Sequence, residues 1–411
     1  MKIKIMFILM VFCSLLFSIK RSDELSKLKK FVLENKLPFE VGFTSISQYK
    51  LEEVTGLQVP KDFNPSIKYK ELPKFIDLPD KLDYRELGYV TPVKNQRNCG
   101  ACWAFATIAP LESAILMYDN KTQDLSEQAL ISCNPWGFSC DGGWYAFDMF
   151  IDDGAALESC QPYTGSDKTK CNNCPGSYYI LDWNYVSAKE IPSIDEIKTA
   201  ILIYGPVAAG MYASNAFMFY KGGVWTKDEE GDINHAITIV GWDDTKNPPA
   251  WIIKNSWGND WGENGFAYVT YGILKVGYAP AFVTYKASTW EDIYEPNNTP
   301  NEAREISINE IQKHKAQDVD WVYFTLDPAC TYFIYTNNLS SGSDTVITLY
   351  EEDGSTKIDE NDDYNRNSQY SVLFIKPQNT KKYYLKVDQL FDYSENYFYY
   401  LGLKTLHCEF K

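Results

Sequence analysis

Residues 96–105 read Gln96-Arg97-Asn98-Cys99-Gly100-Ala101-Cys102-Trp103-Ala104-Phe105. Directly after them Phe105, Ile108, Leu111, Ala114 and Ile115 recur at helical spacing. The pattern predicts a helix from Cys102 to about Tyr118 with one apolar face. Cys102 then stands in the first turn, where unpaired N–H groups and the positive end of the macrodipole favour a thiolate. Pro110 deprives the Ala106 carbonyl of its donor, so a kink is expected there. A nucleophilic thiol needs a base, and the chain has three histidines, His235, His314 and His407. His235 opens the alternating run Ala236-Ile237-Thr238-Ile239-Val240, about 130 residues beyond Cys102. Asn255, in Lys254-Asn255-Ser256-Trp257-Gly258, lies about 150 residues beyond it. His235 would take the thiol proton and later return one to the leaving amine. Asn255 would orient the imidazole and Trp257 would shield their bond from water. Gln96 can set its amide beside the Cys102 N–H as an oxyanion hole.

Working outward, 411 residues predict two or three folded units, and 45% hydrophobic content excludes global disorder. The net charge of −16 argues against a nucleic-acid partner. Met1–Lys4 followed by the apolar run Ile5–Phe17 has the form of a secretory signal and is too short to span a membrane. Disulfides are then permitted for the remaining cysteines. Asn120, Asn297 and Asn338 open glycosylation sequons. The reading divides the chain into a signal (1–19), a charged leader (20–77), a catalytic unit (78–288) and a C-terminal unit (289–411). The leader opens with the helical pattern Leu25, Leu28, Phe31 and Val32. After Lys286, six short strand-like runs between turn clusters suggest a β-sandwich: 321–326, 332–336, 345–350, 372–375, 383–387 and 397–403.

The stretch around Cys102 resembles the papain family of cysteine proteases. So do Leu82-Asp83-Tyr84-Arg85, Val90-Thr91-Pro92-Val93-Lys94-Asn95-Gln96, Cys140-Asp141-Gly142-Gly143, Gly205-Pro206-Val207 and residues 257–265, in order over half the chain. The resemblance implies an α+β, two-lobed fold with a helical left lobe and a β-barrel-like right lobe. It implies thioester chemistry on Cys102 without a cofactor, and protein or peptide substrates. It pairs Cys99 with Cys140, Cys133 with Cys171 and Cys160 with Cys174, leaving Cys330 and Cys408 for the C-terminal unit. It also implies that Gly142 and Gly143 pair with a peptide backbone, which their lack of side chains permits. Trp144, Tyr145, Ile233, Ala236 and the Ala208–Gly210 segment should line an apolar pocket for the residue two before the cut.

Phe39–Ile46 and Leu51-Glu52-Glu53 resemble the family's propeptide, although the usual long helical motif and the Asn after Gly42 are missing. The chain's own leader is therefore expected to inhibit it, with processing at 76–81. An endopeptidase, monomeric and extracellular or lysosomal, fits better than a dipeptidyl exopeptidase or a silent adhesion protein. The leader is short for an exclusion domain, and the histidines for a C-terminal-trimming loop are lacking. Residues 293–303, 318–324, 344–350 and 360–363 resemble bacterial pre-peptidase C-terminal β-sandwich domains. In that unit Glu295, Asn297, Asn298, Asp318 and Asp320 could surround Ca²⁺.

Overall fold

The computed structural model describes residues 2–72, 78–286, 292–337, 339, 343–362, 369–390, 393–394 and 397–408, without the side chains of 2–17 and 407. The Asn338 sequon, the side chain of Cys13 in the expected signal and residues 76–77 of the processing stretch lie outside this description.

The leader consists of α1 (Lys2–Glu34), β1 (Phe39–Val41) and the single turn α2 (Leu51–Val54). Leu25 and Leu28 are buried against Phe219 with Val32 beside them, whereas Phe31 is exposed. Arg21 anchors the other side, donating to the Ser47 carbonyl (2.8 Å) and to Asn215 Oδ1 (3.0 Å). The helical pattern Leu25, Leu28, Phe31 and Val32 thus lies on a helix, as its spacing predicts. This helix, α1, runs unbroken across the expected signal boundary.

The central unit contains β2 (Lys81–Asp83), α3 (Cys102–Asp119), α4 (Glu127–Cys133), α5 (Asp148–Asp152), β3 (Tyr179–Tyr185) and α6 (Ile194–Tyr204). It continues with β4 (Val207–Met211), β5 (Tyr220–Trp225), β6 (His235–Asp243), β7 (Ala250–Lys254), β8 (Phe266–Thr270) and β9 (Tyr278–Lys286). The strands form one sheet in the order β1-β5-β8-β7-β6-β4-β9-β3, with β2 added to β6. β1 of the leader extends this sheet at β5. One apolar core surrounds α3; a second lies over the sheet and α6. α3 is buried around nearly its whole circumference, Glu112 and Ser113 included, rather than on one face. It passes through Pro110 as a single helix and ends at Asn120 in the left-handed conformation.

Beyond residue 292 the chain adds β10 (Arg304–Glu305), β11 (Ile311–Lys315), β12 (Asp320–Leu326), β13 (Cys330–Asn337) and β14 (Thr345–Tyr350). β15 (Lys357–Asn361), β16 (Val372–Ile375), β17 (Lys381–Gln389) and β18 (Phe398–Cys408) complete it. Two sheets, β10-β12-β17-β14-β15 and β11-β18-β13-β16, share one core, as a sandwich does. In the second sheet β13 is buried on both faces. Tyr332 and Ile334 of β13 point into the sandwich core, while Phe333 and Tyr335 join the core of the central unit. The side chains of Lys404 and Asn337 reach the open carbonyls at the end of α6. Lys404 Nζ donates to Leu202 O (2.6 Å) and Asn337 Nδ2 to Ile203 O (2.6 Å). These contacts satisfy helix-terminal acceptors that have no partner within the helix.

Four disulfides form, Cys99–Cys140, Cys133–Cys171, Cys160–Cys174 and Cys330–Cys408, the last joining directly paired residues of β13 and β18. Among the described cysteines Cys102 alone is free.

Candidate active site

Cys102 is the first residue of α3, and its N-cap, Ala101, supplies no capping side chain. The first-turn N–H groups are therefore not claimed by a side-chain cap and remain oriented toward the sulfur's end of the helix. His235 begins β6 and Asn255 directly follows β7. These strands are antiparallel, with Thr238 opposite Lys254, so the start of one lies beside the end of the other. His235 Nε2 and Asn255 Oδ1 are 2.8 Å apart, and the same oxygen accepts from Ser256 N–H (2.8 Å). An amide oxygen can only accept, so the proton of this contact sits on the imidazole Nε2. Nδ1, buried and without a hydrogen-bond partner, then carries the lone pair that can receive a thiol proton. The backbone N–H of Ala236, next to His235, reaches the Cys102 sulfur. Trp257 covers the imidazole at 4.6 Å between ring centroids.

A buried polar network ties the two sides together. Thr91 donates to Glu112 of α3 (2.6 Å) and accepts from Lys254 at the end of β7 (2.9 Å). Lys94 joins Glu112 and Glu127 at 2.7 and 3.0 Å.

The leader occupies the cleft. Gly56 and Gly100 approach so closely that a Cβ on Gly56 would stand 1.9 Å from the Gly100 carbonyl oxygen. Gly143 N–H donates to Gly56 O and Gln58 N–H to Gly143 O, both at 2.9 Å, in a parallel pairing centred on Leu57. A Cβ on Gly142, whose φ is +130°, would strike the Gln58 amide at 2.4 Å. Leu57 is buried with Trp144, Tyr145, Ala208, Ala236 and Tyr278, and its Cδ2 would lie 3.0 Å from a Cβ on Gly210. Gln96, fully buried, donates from Nε2 to the Val54 carbonyl (3.1 Å) and the Cys99 carbonyl (2.8 Å). Trp257 Nε1 donates to the same Val54 oxygen at 3.0 Å.

Burial pushes the Cys102 thiol up to about 11, an effect partly offset by the N–H groups of Ala236, Gly56, Trp103 and Leu57. Burial likewise pushes His235 down to about 4 against the opposing Asn255 hydrogen bond. Between those values the covered pair is a thiol and a neutral imidazole.

Three participants were not picked out from the sequence. Ser256 Oγ donates to Gln96 Oε1 at 2.6 Å and fixes which end of the amide faces the cleft. Tyr278 completes the Leu57 pocket. Residues 54–58 fill the cleft. Ser256 lies inside a quoted motif and adjoins Asn255; nothing in the spacing marks Tyr278 or the leader stretch.

In the C-terminal sandwich, Glu295, Asp318 and Asp320 bring carboxylate oxygens within 4.8 Å of one another. Glu295 Oε1, Asp318 Oδ1 and Asn297 Oδ1 are buried without hydrogen-bond partners. The near end of the Asn298 amide lies 3.2 Å from Asp318 Oδ2 and 3.0 Å from the Val319 carbonyl. Burial, reinforced by Asp318 and Asp320, pushes Glu295 up to about 7. The sequon at Asn297 is a correction. This asparagine has no exposed surface, and its Nδ2 donates to Asp320 Oδ1 (2.9 Å), so a glycan has no place there. Asn120, by contrast, is exposed.

The model of the papain family cysteine protease matches residues 78–284. The chain belongs to the papain family of cysteine proteases. It is 34% identical over 255 residues to the oryzain gamma chain of Oryza sativa subsp. japonica, covering 59% of this chain and 70% of that protein. To cathepsin K of Mus musculus it is 35% identical over 237 residues, 54% of this chain and 69% of that one. A recombinant stem bromelain precursor superposes with a TM-score of 0.56 at 27% identity, over 66% of this chain and 93% of its own. A papain-family cysteine endopeptidase made as a zymogen needs no cofactor for catalysis. No helix among the described residues is long and apolar enough to cross a membrane.

Proposed function

We propose that Cys102, His235, Asn255 and Gln96 carry the peptidase chemistry in the roles their contacts support. The thiol loses its proton to His235 Nδ1, and the sulfur adds to the scissile carbonyl carbon. The resulting oxyanion is held by the Gln96 amide and the Cys102 N–H. The protonated imidazole gives its proton to the leaving amine as the C–N bond breaks, and a thioester remains. Water, deprotonated by the same imidazole, then hydrolyses the thioester. Leu57 in the pocket of Tyr145, Ala208, Ala236 and Tyr278 supports an apolar preference for the residue two before the cut. The observation that carries this reading is the leader's Val54 carbonyl on the two donors Gln96 and Trp257, beside a free buried cysteine.

The proposal extends to the whole chain: a signal (1–19), an inhibitory leader (20–77), a peptidase (78–288) and a sandwich related to pre-peptidase C-terminal domains (289–411). The protein enters the secretory route, functions outside the cell or in a lysosome or vacuole, and is a monomer modified at Asn120. Glu295, Asn297, Asp318 and Asp320 fit a hard cation such as Ca²⁺, because three of their oxygens are buried without a donor, while the Asn298 amide nitrogen faces Asp318 and the Val319 carbonyl.

Titration with an irreversible thiol-directed epoxide, before and after leader removal, tests the assignment. One equivalent should label Cys102 after removal, and Cys102→Ala should neither label nor turn over substrate. Turnover by Cys102→Ala would refute the nucleophile. Cleavage confined to dipeptides from free N-termini would favour the exopeptidase.

A further inference from the structure

Past the cleft, the leader runs along the outer strand of the peptidase. Tyr69 pairs in parallel with Tyr185 of β3: Tyr185 N–H donates to Lys68 O (2.8 Å) and Lys70 N–H to Tyr185 O (3.4 Å). Lys68 meets Asp182 at 3.0 Å. This pairing delivers Lys70 to the place where α6 ends in Tyr204 and the sandwich brings in Tyr370. Lys70 Nζ lies 5.1 Å from the Tyr370 ring centroid and 5.9 Å from that of Tyr204. Two residues later Leu72 is buried in the apolar cluster that contains Tyr204, Phe282, Tyr370 and Val372. Tyr204 and Phe282 stack at 3.9 Å, so the floor of this groove is a built aromatic surface. Its sandwich wall is fixed to the peptidase by Asn337 and Lys404 on the last carbonyls of α6.

We propose that the groove between α6 and the sandwich is a second binding site for the leader, distinct from the catalytic cleft. Its ligand is an extended peptide with a lysine followed two residues later by a leucine. Lysine supplies a cation between two ring faces, and leucine supplies apolar area. The sandwich thereby acts on the active site without touching it. Holding the leader at 70–72 keeps residues 54–58 at high effective concentration over Cys102. This inference rests on the zymogen reading above.

The test uses the matured full chain, sandwich included, and a synthetic peptide of residues 50–72 as inhibitor of small-substrate turnover. Replacing Lys70→Met in the peptide should weaken inhibition about three- to tenfold, the range of a partly buried cation–ring contact. Tyr370→Ala in the protein should weaken the unaltered peptide to a similar degree, and combining both changes should add little further. Tyr370→Phe, which keeps the ring, should match the wild type. Unchanged turnover without peptide reports an intact fold; should Tyr370→Ala not fold, the peptide comparison decides alone. Equal inhibition by both peptides, or fully multiplicative effects, would overturn the second site and leave the zymogen reading intact. A wild-type peptide with no inhibition at all would overturn that reading as well.

Discussion

Replacing Leu57→Asp should unlock the active site without any cut in the chain. Leu57 is 3% exposed and lies beside Gly210 with Ile233 and Tyr278, in the apolar cluster that also holds Tyr145, Ala208 and Ala236. Removing its apolar burial costs roughly 2–3 kcal/mol. A carboxylate placed there among apolar groups costs several kcal/mol more unless it leaves for water. A total on the order of 5 kcal/mol against the covered state corresponds to about a 1,000- to 10,000-fold shift toward an open cleft. α1 and β1 stay docked, so the leader remains attached while residues 54–58 lift. The assay is alkylation of Cys102 in uncut chain, followed by mass spectrometry over a pH series. In the wild type the covered thiol ionises only toward pH 11, so labelling should climb steeply into the alkaline range. The rise from an ordinary 9.0 to about 11 alone makes the thiolate about 100-fold scarcer at neutral pH than on an ordinary cysteine. In the variant, water and His235 regain access to the sulfur. Labelling near pH 6 to 7 should therefore be at least about 100-fold faster than in the wild type. Uncut, folded Leu57→Asp chain that alkylates at the wild-type rate across this range would refute the reasoning.

Ser256→Ala in the matured enzyme should lower kcat about tenfold with little change in KM, because one buried hydrogen bond positions Gln96. Gln96→Ala should cost about 100- to 1,000-fold, and the double variant no more than Gln96→Ala alone; additive losses would detach Ser256 from the oxyanion hole. Millimolar Ca²⁺ should raise the melting temperature of the full chain, an effect that Asp318→Asn abolishes; an identical melting curve with chelator and with Ca²⁺ would remove the cation from the sandwich.

The catalytic constellation was legible because its members are set by chain spacing and by rules of pairing that any sequence reader can apply. A histidine opening one strand and an asparagine closing its antiparallel neighbour meet once the strands pair, as His235 and Asn255 do. Gln96 was legible for the same reason, lying six residues before the nucleophile. The partner that orients it was not, because a serine hydroxyl has no periodic signature. Val54-Thr55-Gly56-Leu57-Gln58 escaped notice because it binds through backbone groups and one leucine, and many surface turns have that composition. The circumference of α3 misled in another way. An alanine-rich helix with Phe105, Ile108, Leu111 and Ile115 recurring on one side reads as amphipathic, yet Glu112 and Ser113 are buried too, since Thr91, Lys94 and Leu125 satisfy the carboxylate. Six of the eight described strands after residue 310 were visible as short apolar runs, and β11 and β15 were not. That β13 buries both of its faces was not, because alternation between Tyr332 and Phe333 leaves no polar side to mark as solvent. What covers the second face is a property of the peptidase surface, hundreds of residues away in sequence. Asn297 shows the opposite failure: a sequon is legible anywhere, but only the fold reveals that its amide is spent on Asp320.

How the leader covers the cleft without presenting a scissile bond there follows from what each side of the peptide offers. Cleavage needs a carbonyl carbon over the Cys102 sulfur and its oxygen between Gln96 and the Cys102 N–H. The leader turns N–H groups, those of Gly56 and Leu57, toward the sulfur, and both also donate to the Asn234 carbonyl at 2.9 Å. The Val54 carbonyl is shared between Gln96 and the Trp257 indole, so a leader oxygen already occupies the Gln96 amide. Parallel pairing with Gly143 makes this arrangement stable: two backbone hydrogen bonds and the Leu57 pocket are satisfied together in that chain direction. Reversing the direction would keep the glycine contacts but exchange donors for acceptors at the sulfur. The leader therefore inhibits through polarity of the chain rather than through an uncuttable residue. Activation requires that residues 54–58 leave the cleft, and both Leu57 and the Lys70 groove oppose that departure.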